Sequence, residues 1–159
     1  PGGAKIEKLA KKGKNTFEMP HPFKFKKNLN FSFSGIKTAV NLIVKKEVNN
    51  KIFKQNIAAS FQKKIIEILE NKIITSLDYV SKKGIIIKDI SVVGGVAANN
   101  EIRNSILYIC KKRNCRLIYP PKKLCGDNAA IVGLTCLKKI EKNHNPDIFF
   151  NADPRLSIN

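Results

Sequence analysis

Residues 85–93 are apolar and β-branched at six of nine positions, and they stop at Gly94-Gly95. A run of that composition reads as a strand covered on both faces, because a strand with one wet face alternates polar and apolar residues. Its partner comes later in the chain. A helical stretch over 98–113, a second short strand over 116–119, a loop through Pro120-Pro121 and a helix over 127–142 give the order β-α-β-α. Strands joined through a helix run parallel, with a right-handed crossover. The expected class is therefore α/β, with Gly94-Gly95 at the carboxyl end of the first strand.

The remainder reads as helices separated by turns. After Pro1-Gly2-Gly3, Ile6, Leu9 and Ala10 recur at helical spacing until Gly13, which predicts a short helix after a glycine turn. Residues 30–33 alternate polar and aromatic as a short strand does, and Ser34-Gly35 then leads into a helix with Ile36, Ala39, Val40, Ile43 and Val44 on one face. Asn56 can cap a long helix that carries Ile57, Phe61, Ile65, Leu69, Ile73 and Leu77 down one side and ends near Gly84, with room for one break. A turn-rich patch at Met19-Pro20-His21-Pro22 and a polar tail after Asn143 complete the chain. No internal repeat is present, so residues 1–159 are expected to form a single unit.

Composition excludes several classes. A hydrophobic content of 43% is enough to close a core, so wholesale disorder is ruled out. No apolar run approaches the roughly 18 to 20 residues of a membrane span, and no membrane partner is expected. The N-terminus has no apolar h-region, which points away from secretion and toward a cytoplasmic location. The chain opens without methionine, its only one being Met19, as expected of a piece of something longer. The net charge of +18 fits either a polyanion partner or a solvated lysine surface. With 26 Lys against 4 Arg, and lysines scattered throughout, the drift of an AT-rich genome accounts for part of it. Cys110, Cys115, Cys125 and Cys136 form no CxxC and have no histidine at finger spacing, so buried free thiols are expected.

Five places invite chemistry. Gly94-Gly95, after a strand and before a helix, is either a tight turn or a backbone approach to an anion at a helix N-terminus. Asn99, in the first turn of that helix, either caps it or bonds a ribose or phosphate oxygen. Asp127 follows Cys125-Gly126 at another helix start, where it is either an N-cap or a ligand-holding carboxylate at the carboxyl edge of a parallel sheet. Lys37 opposes the dipole of its own helix, which local stability does not explain, although a solvated lysine is the plain alternative. His21 and His144 lie far from Asp127 in sequence and read as surface residues. No nucleophile, base and orienter can be assembled from these residues, so the catalytic residues are unknown and half of any active site lies elsewhere.

Taken in order, Pro1-Gly2-Gly3 with Ile6-Glu7-Lys8-Leu9-Ala10, then Phe31-Ser32-Phe33-Ser34-Gly35-Ile36-Lys37-Thr38-Ala39, then Val93-Gly94-Gly95-Val96-Ala97-Ala98-Asn99, then Pro120-Pro121-Lys122-Lys123-Leu124-Cys125-Gly126-Asp127-Asn128-Ala129-Ala130 resemble one family. It is the tRNA threonylcarbamoyladenosine transferase family, formerly named O-sialoglycoprotein endopeptidase. The resemblance implies the second lobe of an actin-like, RNase H-like fold, with parallel strands, helices and a helical subregion, the N-terminal lobe being absent. It further implies transfer of a threonylcarbamoyl group from threonylcarbamoyl-AMP to the amine of the tRNA adenosine 3′ of the anticodon, together with small accessory proteins. Gly3 and Asn99 match positions that hold the adenylate, with Gly94 and Gly95 in the adjoining turn. Asp127 matches the aspartate that binds one divalent metal ion, iron or zinc, with a histidine pair of the missing lobe.

Some positions depart from the family pattern. Ala4 replaces a proline, Met19-Pro20-His21-Pro22 replaces a Phe-Pro-Arg-Pro-like stretch, Gly126 replaces a threonine, and Asp153-Pro154-Arg155-Leu156 matches an Arg-Pro-Arg-Trp-like segment loosely. Two other readings compete: another actin-like carbamoyltransferase or sugar kinase, and an inactive remnant or non-catalytic binding subunit of the same family.

Overall fold

The computed structural model describes residues 2–22, 28–46 and 50–142, in two compact units, Pro1–Gly126 and Asp127–Asn159. In the first unit, α1 (Gly2–Ala10) and α2 (Ser34–Lys46) pack on α3 (Lys51–Ser81), and α3 packs on α4 (Asn100–Lys112). Two short strands, β1 (Asp89–Ser91) and β2 (Arg116–Ile118), pair in parallel with Ile90 opposite Leu117. Bonds from the Arg116 amide to the Lys88 carbonyl (2.7 Å) and from the Val92 amide to the Ile118 carbonyl (2.9 Å) extend the ladder at both ends. The order is the expected parallel β-α-β, in a structure that is mostly helical.

α3 organises the unit because its apolar stripe winds. Residues four apart advance about 40° around a helix at each step, so a stripe kept at that spacing changes face along its length. Ile57, Phe61 and Ile65 accordingly meet a cluster with Met19, Ile36, Phe53 and Ile68, whereas Ile65, Leu69 and Ile73 meet one with Ile66, Ile102, Ile106 and Cys110. One long, unbroken helix thus serves two cores. The turn-rich patch contributes its methionine to the first of these, while His21 is half-buried.

Several elements differ from expectation. α1 begins at Gly2, so the glycines form its first turn; packing of α1 on α3 outweighs a glycine cost of about 1 kcal/mol per residue. Asn50, not Asn56, caps α3: its Oδ1 accepts the Phe53 amide at 2.8 Å. Asn56 lies inside the helix and uses its Oδ1 to accept the Lys14 amide, also at 2.8 Å. Residues 30–33 form no strand, because no second strand pairs with them among the described residues. Their alternation survives only locally, placing Phe31 and Phe33 on one side, where the rings stack at 6.1 Å.

The strand expected over 85–93 is shorter and covered on one face. Ile90 and Val92 pack toward α4, but Ile86 is 85% and Val93 71% exposed. Among the described residues, Val93 falls on the face of the strand that no helix covers, and Ile86 lies before β1 begins, outside the ladder. Of the four free cysteines, Cys110 and Cys125 are buried, Cys115 is half-buried and Cys136 is exposed, so the expectation of buried thiols holds for two.

In the second unit, Asn128 caps α5 (Ala129–Glu141), its Oδ1 accepting the Ile131 amide at 3.0 Å. Asp127 stands one residue outside the cap, so the N-cap reading of Asp127 is overturned by its neighbour. His144 and the stretch 153–156 lie outside the described residues. Among the described residues, no helix is long and apolar enough to cross a membrane.

Candidate functional site

The site is built where β1 gives way to α4. Gly94 has φ +88°, a conformation that side-chain-bearing residues rarely adopt, and it turns the chain sharply off the strand. A single 3-10 turn, Gly95–Ala98, comes next, closed by the Ala97 amide on the Gly94 carbonyl (3.0 Å) and pinned by buried Ala97. Asn99 then caps α4: its Oδ1 accepts the Ile102 amide at 3.2 Å, and its Nδ2 donates to Gln62 Oε1 of α3 at 2.7 Å. Of the two duties open to Asn99, capping is what the side chain performs here. A Cβ on Gly94 or Gly95 would meet no atom within 4 Å, so this turn faces open space.

Three further segments converge on the same helix start. Glu7 of α1 accepts from the Asn100 amide (3.1 Å) and from Asn100 Nδ2 (2.6 Å), placing a carboxylate on one of the N–H groups that a helix leaves unpaired at its beginning. Gly3 lies four residues before Glu7 on the same helix face, about 6 Å along the axis. The first turn of α1 is thereby brought beside the start of α4. From the loop after β2, Lys122 Nζ donates to Asn100 Oδ1.

Arg103, one turn into α4, ties two loops together. Its Nε donates to the Ala97 carbonyl, and its Nη2 donates to the Pro120 carbonyl at 3.0 Å and lies 3.2 Å from Cys125 Sγ. The guanidinium also stacks over the Tyr119 ring, 4.0 Å from its centroid. These bonds link the carboxyl ends of both strands through one side chain. At the opposite edge, Arg116 grips Asp89 with bonds of 2.7 and 3.2 Å, and that grip holds the Asp89 carboxyl below its usual range. Burial pushes the Cys110 thiol up, which suits an inert core residue.

The structure therefore places Gly94, Gly95 and Asn99 in sequence at one helix N-terminus, with Glu7 of α1 bonded to it and Gly3 one turn before Glu7. Asp127 belongs to the second unit, directly before the Asn128 cap of α5. Lys37 is exposed on the first turn of α2, the solvated alternative. Among the described residues, no group of three or more His, Cys, Asp or Glu side chains could hold a metal ion. A hollow of about 270 Å³ around Asn15, Ser60 and Lys64 shares no residue with this site.

Chemically, backbone amides, a helix start and open space beside two glycines suit an anion or the hydroxyls of a sugar. The family model described as TsaD, tRNA N6-adenosine threonylcarbamoyltransferase, matches residues 1–134, and all four residues of the site lie in that span. The chain belongs to this family. Among curated relatives of that name, the protein of Pelagibacter ubique is 42% identical over 99% of this chain and 44% of its own length. The proteins of Thermosipho africanus and of a Wolbachia endosymbiont of Brugia malayi are 39% and 40% identical, each over 99% of this chain and 47% of its own. The chain spans about half the length of the curated relatives it matches.

Glu7, Gln62, Asn100 and Arg103 do not stand out as site residues in the sequence. For Arg103 a signal exists. In a chain with 26 Lys and 4 Arg, an arginine marks a place where a forked donor is needed. Arg113, bonded to Asp78 at 2.7 Å, and Arg116 obey the same rule. Glu7 and Gln62 carry no such mark, since exposed helix faces are full of such residues.

Proposed function

We propose that this chain supplies the adenylate-holding part of a tRNA threonylcarbamoyl transferase, as the second lobe of an actin-like fold whose first lobe lies in the half of the relatives that it does not match. The supporting observation is the open Gly94-Gly95 turn leading to the Asn99-capped start of α4, to which Glu7 of the Gly3-bearing helix is bonded, in a member of this family. The glycine turn allows the phosphate of threonylcarbamoyl-AMP to approach backbone amides, and Asn99 and Gly3 border the adenylate. The threonylcarbamoyl group passes to the amine of the adenosine 3′ of the anticodon, and AMP leaves. The +18 charge suits a tRNA partner. Small accessory proteins and a cytoplasmic setting complete the proposal.

Asp127 fits a metal-binding role in one respect: Asn128 takes the capping duty, so the carboxylate is not committed to the helix start. One carboxylate is one ligand, and the remaining ligands of a bound iron or zinc ion come from the absent lobe. Such a metal, when bound, polarises the carbonyl or anchors the adenylate.

The test joins this chain to the complementary half of the Thermosipho africanus relative and measures threonylcarbamoyl incorporation into tRNA together with metal content. The chain alone should transfer nothing, and the assembled protein should transfer. Asp127→Asn should abolish both transfer and metal binding while leaving the melting temperature nearly unchanged, since Asn128 keeps the cap. Retention of metal and activity by Asp127→Asn would refute the metal assignment. An assembled protein that is folded and metal-loaded yet inactive would instead support a non-catalytic member of the family.

A further inference from the structure

We propose that Arg103 is a positioning residue that locks the glycine turn at 94–98 to the loop at 120–125, so that the two carboxyl ends of the sheet move as one. This rests on the reading of that turn as the adenylate site. Each of the two segments is held mainly by bonds within its own short turn, with one further bond from Lys122 to Asn100. The turn has two glycines with no neighbour near where a Cβ would stand, and only Ala97 is buried. The loop at 120–125 holds a single 3-10 turn, Lys122–Leu124, and buried Cys125. Neither is held by a β-ladder, which ends at Val92 and Ile118.

Arg103 supplies a tie that reaches both segments from one side chain. One guanidinium donates to the Ala97 carbonyl in the first segment and to the Pro120 carbonyl in the second, contacts Cys125 Sγ, and lies over Tyr119 between them. Its stem rises from α4, so the tie is anchored in the core that contains Ile102 and Ile106. A lysine could keep the charge but could not reproduce the planar fork, because an ammonium is a point donor. In a chain that uses lysine almost everywhere else, this position needs the fork.

Arg103→Lys and Arg103→Ala, made in the full chain, should raise amide hydrogen exchange at 95–99 and 122–125 together, about tenfold or more, while amides of β1 and the middle of α3 exchange as before. Arg113→Lys, which alters only an exposed ion pair with Asp78, is the control and should change neither segment. A uniform rise across α3, β1 and both loops would mean that Arg103 merely stabilises the fold and would overturn the proposal. So would faster exchange in one segment alone.

A second arm uses AMP as the probe on the protein assembled with the relative's half, titrated calorimetrically. Arg103→Lys should weaken AMP binding about tenfold and raise the KM for threonylcarbamoyl-AMP more than it lowers kcat. Unchanged AMP affinity with coupled exchange intact in wild type would overturn the positioning role. If wild type binds no AMP at all, the adenylate reading of the site fails, while the exchange arm still judges whether Arg103 couples the two segments.

Discussion

Helices α3 and α4 begin in the same way and end up with different surroundings. Each is capped by an asparagine whose Oδ1 accepts an amide three residues on, at 2.8 Å from Asn50 and 3.2 Å from Asn99. Each first stretch is approached by a glycine segment. Near the start of α3, Gly13 lies so close that a Cβ would sit 2.0 Å from the Gln55 carbonyl oxygen, and protein backbone fills the space. Beside α4, Gly94 and Gly95 face nothing within 4 Å. Equal capping chemistry therefore does not distinguish a helix start that is filled from one that is open. What distinguishes them is whether the protein has already occupied the room that glycine creates.

The two helix starts should differ most at their glycines. Gly13→Ala should cost about 3 kcal/mol, the upper range for overpacking, because its new methyl meets main chain that cannot swing away. Gly95→Ala should change stability by about 0.5 kcal/mol or less, as expected of a substitution into open surface. Denaturant midpoints of the two variants test this directly. If Gly95→Ala unfolds the chain as readily as Gly13→Ala does, the open turn is not open. In the assembled enzyme the order should reverse for adenylate affinity, with Gly95→Ala the variant that loses AMP.

The caps come next. Asn50→Ala should cost about 1 kcal/mol, the usual value of an N-cap. Asn99→Ala should cost about 1 kcal/mol more, since Gln62 then loses its partner. Asn99→Asp keeps a cap acceptor but removes the Nδ2 donor, so it should fall between wild type and alanine. Equal losses for Asn50→Ala and Asn99→Ala would show that the link to α3 contributes nothing.

The smallest effect is at the amino end of the sheet, where the Asp89–Arg116 pair replaces the open turn of the carboxyl end. Arg116 holds the folded-state pKa of Asp89 below its unfolded value, so its contribution is present above the ordinary carboxylate range and fades as pH falls through the lowered folded value. Both groups are exposed, and the effect is correspondingly slight. Asp89→Asn should melt marginally below wild type at neutral pH, and the gap should close in acid. A gap that widens on acidification would contradict the sign.

Much of the element order was legible because it rests on short-range physics. The parallel pairing of 89–91 with 116–118 followed from one apolar run, one helix and a second short run, and the glycine turn fell at the strand end for the same reason. The amphipathic face of α2 was plain from its spacing, with Ile36 buried as that spacing requires. Less legible were boundaries where two residues of the same chemistry compete. Asn50 and Asn56 are equally able to cap, and so are Asp127 and Asn128; which one does depends on where the helix is forced to begin by packing.

The sequence by itself determined the α/β order, the family and the glycine turn that leads into α4, because local propensity and motif spacing are written along the chain. Only the tertiary structure decided which distant side chains meet there. Glu7 reaches Asn100 across 93 residues of sequence, Asn99 reaches Gln62 across 37, and Arg103 spans two loops at once. Such bonds form between side chains that helix packing happens to bring within about 3 Å, a distance that no periodicity along one segment encodes. The same packing decided that residues 30–33 pair with no strand among the described residues and that Ile86 and Val93 are exposed, since a strand's partner and a face's cover are properties of the assembled chain.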